Sequence, residues 1–222
     1  MNDKNVMFDT VIFDLDGTLL NTLDDLMDAT NFALSELHYP VRTIDEIRRF
    51  VGNGVGKLME RSLPDGIQNA HYEEAMRIFR QYYNIHCEDK TRAYEGITEL
   101  LQQLKAAGCK IAVVSNKPDR AVKRLCEIFF QDTVTTAIGE KEGVRRKPAP
   151  DMVEHALSVL GSCKECAVYV GDSDVDIQTA ANSGLECISV TWGFRSTEFL
   201  KEHGASRLAD TPQQVYQAIV RD

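Results

Sequence analysis

The chain has 222 residues, 43% of them hydrophobic and 27% charged, with a formal net charge of −9. That length buries a full core as one domain, or as one domain carrying an insertion, without disulfide or metal staples. The acidic balance argues against a nucleic-acid partner, which needs clustered Lys and Arg, and no apolar stretch is long enough to span a bilayer.

Met1 to Lys4 lead into a short strand and not into a secretory apolar segment, so a cytoplasmic protein with no membrane partner is expected. The six cysteines, Cys87, Cys109, Cys126, Cys163, Cys166 and Cys187, lie in mostly apolar contexts, as reduced thiols do. Cys163 and Cys166 make a single C-x-x-C without a second pair or ligand-spaced histidines, which reads as a surface loop. The histidines, at 38, 71, 86, 155 and 203, pair with no candidate nucleophile and receive no role.

In chain order, Val11-Ile12-Phe13 reads as a strand covered on both faces. It runs into Asp14-Leu15-Asp16-Gly17-Thr18, where the glycine step ends it. Two ionised carboxylates at the mouth of a buried strand would lose hydration and repel, so they call for a cation or a shared proton. The competing reading is a plain Asp-Gly turn. Between Leu20 and about Cys87 only helical periodicity is present: Leu23, Leu26, Met27, Thr30, Ala33, Leu34, Leu37, then Ile44, Ile47, Leu58, Met59, Ala75, Ile78, Phe79 and Tyr82. Thr43 and Glu46 have capping-box spacing. The interval is expected to be an all-helical domain over 21–87, inserted into a core of 1–20 and 88–222.

Strand and helix patterns then alternate. Strands are expected at Ile111 to Val114, Val134 to Ile138, Val168 to Val170 and Cys187 to Thr191, and helices at about 97–107, 119–129, 151–160 and 174–183. Gly108, Gly161 and Gly184 suit helix ends. Such alternation predicts an α/β fold: a doubly wound parallel sheet, Rossmann-like, with ligands at the carboxyl ends of its strands. The residues at those ends are Asp14 and Asp16, then Ser115-Asn116-Lys117, then Gly171-Asp172-Ser173-Asp174-Val175-Asp176. The loop Arg145 to Pro150 supplies Lys147. Ser115 and Asp172 could each be a helix cap, and Lys147 a solvated charge.

Taken together in this order, the set resembles the haloacid dehalogenase-like superfamily of phosphotransferases. Asp14 to Thr18 match its D-x-D-G-T motif, Ser115 its second motif, Lys147 its lysine, and Gly171, Asp172 and Asp176 its terminal G-D-x-x-x-D; the helical interval looks like its cap. The resemblance implies Mg²⁺-dependent hydrolysis of a small anionic phosphomonoester through an aspartyl-phosphate. Asp14 would be the nucleophile and Asp16 the acid and base, the latter helped by negative neighbours that raise its pKa. Mg²⁺ would be held by Asp14, Asp172 and the Asp16 carbonyl. Ser115, Asn116 and Lys147 would bind the phosphoryl oxygens, with Thr18 counted among the substrate-binding residues and Asp176 and Gly171 behind them.

The loop Val51 to Lys57, the cap length and Thr191-Trp192-Gly193 resemble phosphoglycolate phosphatase-like members. In that reading Lys57 and the free N–H groups of the helix it opens receive an anionic head group; a glycine-requiring turn is the other reading of the loop. Many relatives carry Asp where this chain has Asn21. A sugar-phosphate mutase resembling β-phosphoglucomutase, a pyrophosphatase or nucleotidase, and a non-enzymatic interaction module are the alternatives. The oligomeric state is open between monomer and homodimer.

Overall fold

The computed structural model describes residues 5–221, so the expected lead-in at Met1 to Lys4 lies outside the described residues. Six strands form one sheet: β1 (Thr10–Phe13), β2 (Lys110–Pro118), β3 (Thr136–Glu140), β4 (Ala167–Gly171), β5 (Glu186–Val190) and β6 (Leu208–Ala209). Their spatial order is β3-β2-β1-β4-β5-β6, and every adjacent pair is parallel. Among the described residues the helices are α1 (Leu23–Glu36), α2 (Ile44–Phe50), α3 (Val55–Ser62), α4 (Tyr72–His86), α5 (Ile97–Ala106), α6 (Asp119–Phe130), α7 (Asp151–Leu160), α8 (Asp174–Ser183), α9 (Thr197–Glu202) and α10 (Pro212–Ile219).

All four residues of β1 are buried, because helices cover both faces of the sheet. Val11 and Phe13 join the apolar cluster of α5, α6 and α10, whereas Ile12 joins that of α7 and α8. This split follows from the two-residue period of a strand, which sends successive side chains to opposite faces. The doubly wound α/β fold expected from the alternating pattern is therefore present. Gly161 and Gly184 cap α7 and α8 in the left-handed conformation. The sequence pattern did not anticipate β6, α9 or α10, and β2 continues four residues beyond its expected end at Val114.

Helices α1 to α4 have an apolar core of their own, in which Leu34, Ile47, Leu58, Met59 and Phe79 are almost wholly buried. Thr43 and Glu46 close a capping box at the start of α2. The chain leaves and rejoins the sheet region through two short strands, Leu20–Asn21 and Arg92–Ala93, paired antiparallel. Beside them the buried Asp25 of α1 accepts the N–H groups of Lys90 and Thr91, at 2.9 and 2.8 Å, and the Thr91 hydroxyl at 2.7 Å. Asn21 Oδ1 accepts the Leu23 N–H at 3.3 Å, a contact that an amide oxygen makes as a carboxylate would.

No helix among the described residues is long and apolar enough to cross a membrane. The cysteines are free, with Cys163 exposed and Cys166 half-buried around a 3₁₀ turn that leads into the amino end of β4.

Candidate active site

Strand order runs outward from β1 in both directions, so a crevice forms at the carboxyl ends of β1 and β4. Asp14 follows β1 directly and prolongs its ladder, its N–H donating to Val170 O at 2.9 Å. Its Oδ1 accepts the Leu15 N–H at 2.7 Å and lies 2.9 Å from Lys147 Nζ. Burial pushes the Asp14 carboxyl well above the ordinary aspartate pKa, with Lys147 opposing. The Leu15 and Lys147 contacts both engage Oδ1, and Asp14 lines the cavity.

Lys147 comes from the loop before α7 and is almost fully buried. Its ammonium meets Asp14 Oδ1 at 2.9 Å, Asp176 Oδ1 at 2.8 Å and the Tyr169 hydroxyl at 3.0 Å, which accounts for all three of its donors. Burial alone would lower its pKa, but Asp14 and Asp176 more than offset that and hold it well above the lysine value. Asp176 is anchored in turn: its other oxygen accepts the Ser173 N–H at 3.1 Å and hydroxyl at 2.6 Å.

Asp172 follows Gly171 at the end of β4. Its Oδ1 accepts the Thr18 hydroxyl at 3.2 Å and its Oδ2 accepts the Phe194 N–H at 2.7 Å. Burial, followed by the Asp176 charge, pushes its carboxyl pKa up to about 7. Backbone crowds it from two sides. A Cβ at Gly17, where φ is +87°, would fall 2.3 Å from Asp172 Oδ2, and one at Gly193 would fall 2.3 Å from Asp172 Cβ. Only glycine meets both demands at position 17.

Ser115 and Asn116, on the extension of β2, line the same cavity as Asp14, Asp16, Lys147 and Asp172. Asn116 Nδ2 donates to Lys147 O at 3.1 Å and to Gly52 O at 3.3 Å, and its Oδ1 is buried without a partner. On the far side the cavity is closed by Leu26, Val51, Gly52, Gly54, Val55 and Leu58 from the helical unit. Its volume is about 40 Å³, room for roughly three waters.

Asp14, Asp172 and Asp176 each offer a carboxylate oxygen within 4.8 Å of one another. Each Asp176 oxygen already takes two donors, whereas each Asp172 oxygen takes one, so Asp14 and Asp172 are the pair with capacity for a cation, and an all-oxygen donor set suits a hard divalent one.

Two expected substrate contacts do not reach the cavity. Lys57 stands on the outer side of α3 with its Nζ 2.7 Å from Glu60 Oε2. The stripe that α3 buries is Val55, Leu58, Met59 and Ser62, and residue 57 falls off it. Thr18 is fully buried, with its hydroxyl on Asp172 and its carbonyl accepting Trp192 Nε1–H at 3.0 Å, so it steadies Asp172 from behind.

Conversely, four residues that sequence reasoning left aside belong to the site. Lys117 puts its buried Nζ 2.8 Å from Asp16 Oδ1 and 4.9 Å from the centre of the Tyr83 ring. Asp16 thus faces an ammonium and not only the negative neighbours expected of it. Tyr169 holds Lys147 and Asp176, while Phe194 and Arg195 line the cavity from the loop after β5. Lys117 carried a signal: two residues after Ser115 in an extended segment, it shares its face.

The sequence profile of the haloacid dehalogenase-like hydrolases matches residues 11–190. A phosphoglycolate phosphatase of Psychrobacter arcticus is 34% identical over 200 residues, covering 86% of this chain and 87% of its own. One from Rhodobacter capsulatus is 34% identical over 199 residues, covering 86% and 88%. Among solved structures, a protein of Lactobacillus delbrueckii subsp. bulgaricus assigned as a phosphoglycolate phosphatase superposes with a TM-score of 0.92 at 38% identity, over 97% of this chain and 100% of its own.

Proposed function

We propose, because the chain belongs to the haloacid dehalogenase-like hydrolase family, that its cavity hydrolyses a small phosphomonoester, with phosphoglycolate, for which its relatives are named, as the first candidate. The chain is a phosphatase; the residue roles that follow are our reading of the site. The observation that carries them is the convergence of Asp14, Asp16, Ser115, Asn116, Lys147 and Asp172 on one cavity at the strand ends.

In the first half-reaction a carboxylate oxygen of Asp14 attacks phosphorus, and the bond to the alcohol oxygen breaks. With Oδ1 held by Leu15 N–H and Lys147, Oδ2 is the oxygen free to attack. Asp16 gives its proton to the departing oxygen. In the second, water attacks the aspartyl-phosphate, Asp16 takes the proton, and Asp14 is regenerated. Ser115 and the Asn116 backbone N–H would hold the non-bridging oxygens, joined by Lys147 as it exchanges one of its three partners for the phosphoryl group, whose negative charge needs fixed donors throughout the transfer. Asp14, Asp172 and the Asp16 carbonyl would hold Mg²⁺, which when bound neutralises charge on the transferring group.

The helical unit, 21–87, is in this reading the substrate-selecting cap. Residues of the cap close one side of the cavity, so the cap would lift to admit a phosphomonoester and close to exclude bulk water. The test is phosphate release from a panel of small phosphomonoesters with and without Mg²⁺, including phosphoglycolate and pyrophosphate, with Asp14→Asn as control. Turnover that survives Asp14→Asn removes the nucleophile assignment.

A further inference from the structure

Asp172 is held by a loop that also reaches into the helical unit. The loop, Thr191 to Arg195, is fixed to the core at its start, where Thr191 Oγ1–H donates to Asp210 at 2.8 Å and Trp192 Nε1–H to Thr18 O at 3.0 Å. Gly193 then passes Asp172 at a distance that admits no side chain. Phe194 faces two ways: its N–H donates to Asp172 Oδ2 at 2.7 Å, while its ring packs against the apolar core of α1 to α4.

Arg195 completes the crossing. Its Nη1 donates to Arg48 O at 2.6 Å and its Nη2 to Val51 O at 2.7 Å. These carbonyls belong to the last turn and the cap of α2, where a helix leaves acceptors without internal partners, and a cation there suits the negative end of the helix dipole. Its Nε lies 3.9 Å from Asp174 Oδ1, and the side chain is only 13% exposed. Two consecutive residues therefore bind the helical unit by their side chains while the backbone between them and the sheet fixes one oxygen of Asp172.

We infer that Phe194 and Arg195 are positioning residues that couple the seating of the helical unit to Asp172, so that closure of α1 to α4 and cation binding at Asp14 and Asp172 strengthen each other. The inference rests on the proposed reading of Asp172 as a cation ligand and of the helical unit as a cap. A hydrogen bond tolerates little misdirection. When the helices lift, the anchors of Phe194 and Arg195 go with them or are lost, and the N–H that orients Asp172 is no longer held in line. Linkage makes the effect reciprocal: whatever closure does for the cation, the cation does for closure.

The test is Mg²⁺ affinity measured by titration calorimetry without substrate, alongside the radius of gyration from small-angle scattering with and without Mg²⁺. Arg195→Ala is expected to weaken Mg²⁺ binding about five-fold or more and to abolish the compaction that Mg²⁺ induces in the parent protein. Arg195→Lys, which keeps the charge but loses the fork, should lose less on both readouts, and Phe194→Leu should lie between. Parent-like Mg²⁺ affinity in Arg195→Ala, while Asp172→Asn binds weakly, overturns the coupling alone. Undiminished Mg²⁺ binding in Asp172→Asn overturns the ligand assignment beneath it.

Discussion

The ammonium of Lys117 lies 2.8 Å from Asp16 Oδ1, with both side chains turned into the cavity that also holds Asp14. Burial works against this ammonium, yet Asp16 and the neighbouring Tyr83 raise its pKa above the ordinary lysine value. The cavity thus contains a cation besides Lys147 and Arg195, and unlike Arg195, whose guanidinium binds the carbonyls of Arg48 and Val51, it lies beside Asp16.

On the proposed reading of the substrate, Lys117 would meet the carboxylate of phosphoglycolate. Lys117→Met should raise KM for phosphoglycolate by about ten-fold, the size of one lost charge-assisted contact. KM for a phosphomonoester with an uncharged leaving group should move less than about two-fold on the same scale. Lys57→Ala should leave both substrates near the parent values, because Lys57 pairs with Glu60 on the outer face of α3. Steady-state kinetics on the two substrates decide it, and a KM for phosphoglycolate untouched by Lys117→Met would sink the assignment.

Asp14→Asn should cut turnover by a factor on the order of 10³ or more, as loss of a nucleophile does, while leaving the melting temperature equal or higher. Burial already disfavours the charged form of Asp14, so a neutral side chain of the same shape relieves a cost of the folded state. A lower melting temperature would show that the Lys147 attraction outweighs burial.

Lys147→Met should destabilise the fold by about 3–5 kcal/mol, because it strands the buried carboxylates of Asp14 and Asp176. Urea unfolding of Lys147→Met, Asp176→Asn and the double variant measures the coupling. The double variant should lose less than the two single losses combined.

Asp172 makes stability depend on pH in a direction opposite to that of a salt-bridged surface carboxylate. Its folded pKa is pushed up to about 7, above the unfolded value of about 3.9. Its contribution is therefore complete below about pH 4 and is lost as pH rises through about 7. A cation that binds the carboxylate reverses the loss, so the rise in melting temperature produced by Mg²⁺ should be larger at pH 8 than at pH 5.5. Asp172→Asn should flatten both trends in a thermal melt.

The sheet and its acidic edge were readable in the sequence because they rest on local rules. Val11-Ile12-Phe13 is too apolar to face water, and Asp14 must then sit where the strand stops. One reading failed and one residue went unassigned where local rules say nothing of facing. Lys57 follows a glycine loop that does line the cavity, but the helix it belongs to turns it outward. Tyr169 looks like core in the middle of β4, and only the tertiary structure brings its hydroxyl to Lys147 and Asp176. Arg195 was beyond reach for the same reason: its partners are backbone carbonyls some 144 and 147 residues away in sequence. The β2 extension was missed because Asn and Lys are poor strand formers, and here they are held extended by the site they serve.

The paired strands Leu20–Asn21 and Arg92–Ala93 put the departure and the return of the helical unit side by side. From the standpoint of the sheet, the whole insertion is a hairpin whose ends are already closed. The closure entropy of such a loop grows only with the logarithm of its length, so the sheet is nearly indifferent to what the hairpin carries. On the proposed reading of this unit as the substrate-selecting cap and of Asp14 as the nucleophile, a different helical unit grafted at this junction would inherit the same nucleophile, and substrate choice would change in evolution without the catalytic edge being rebuilt.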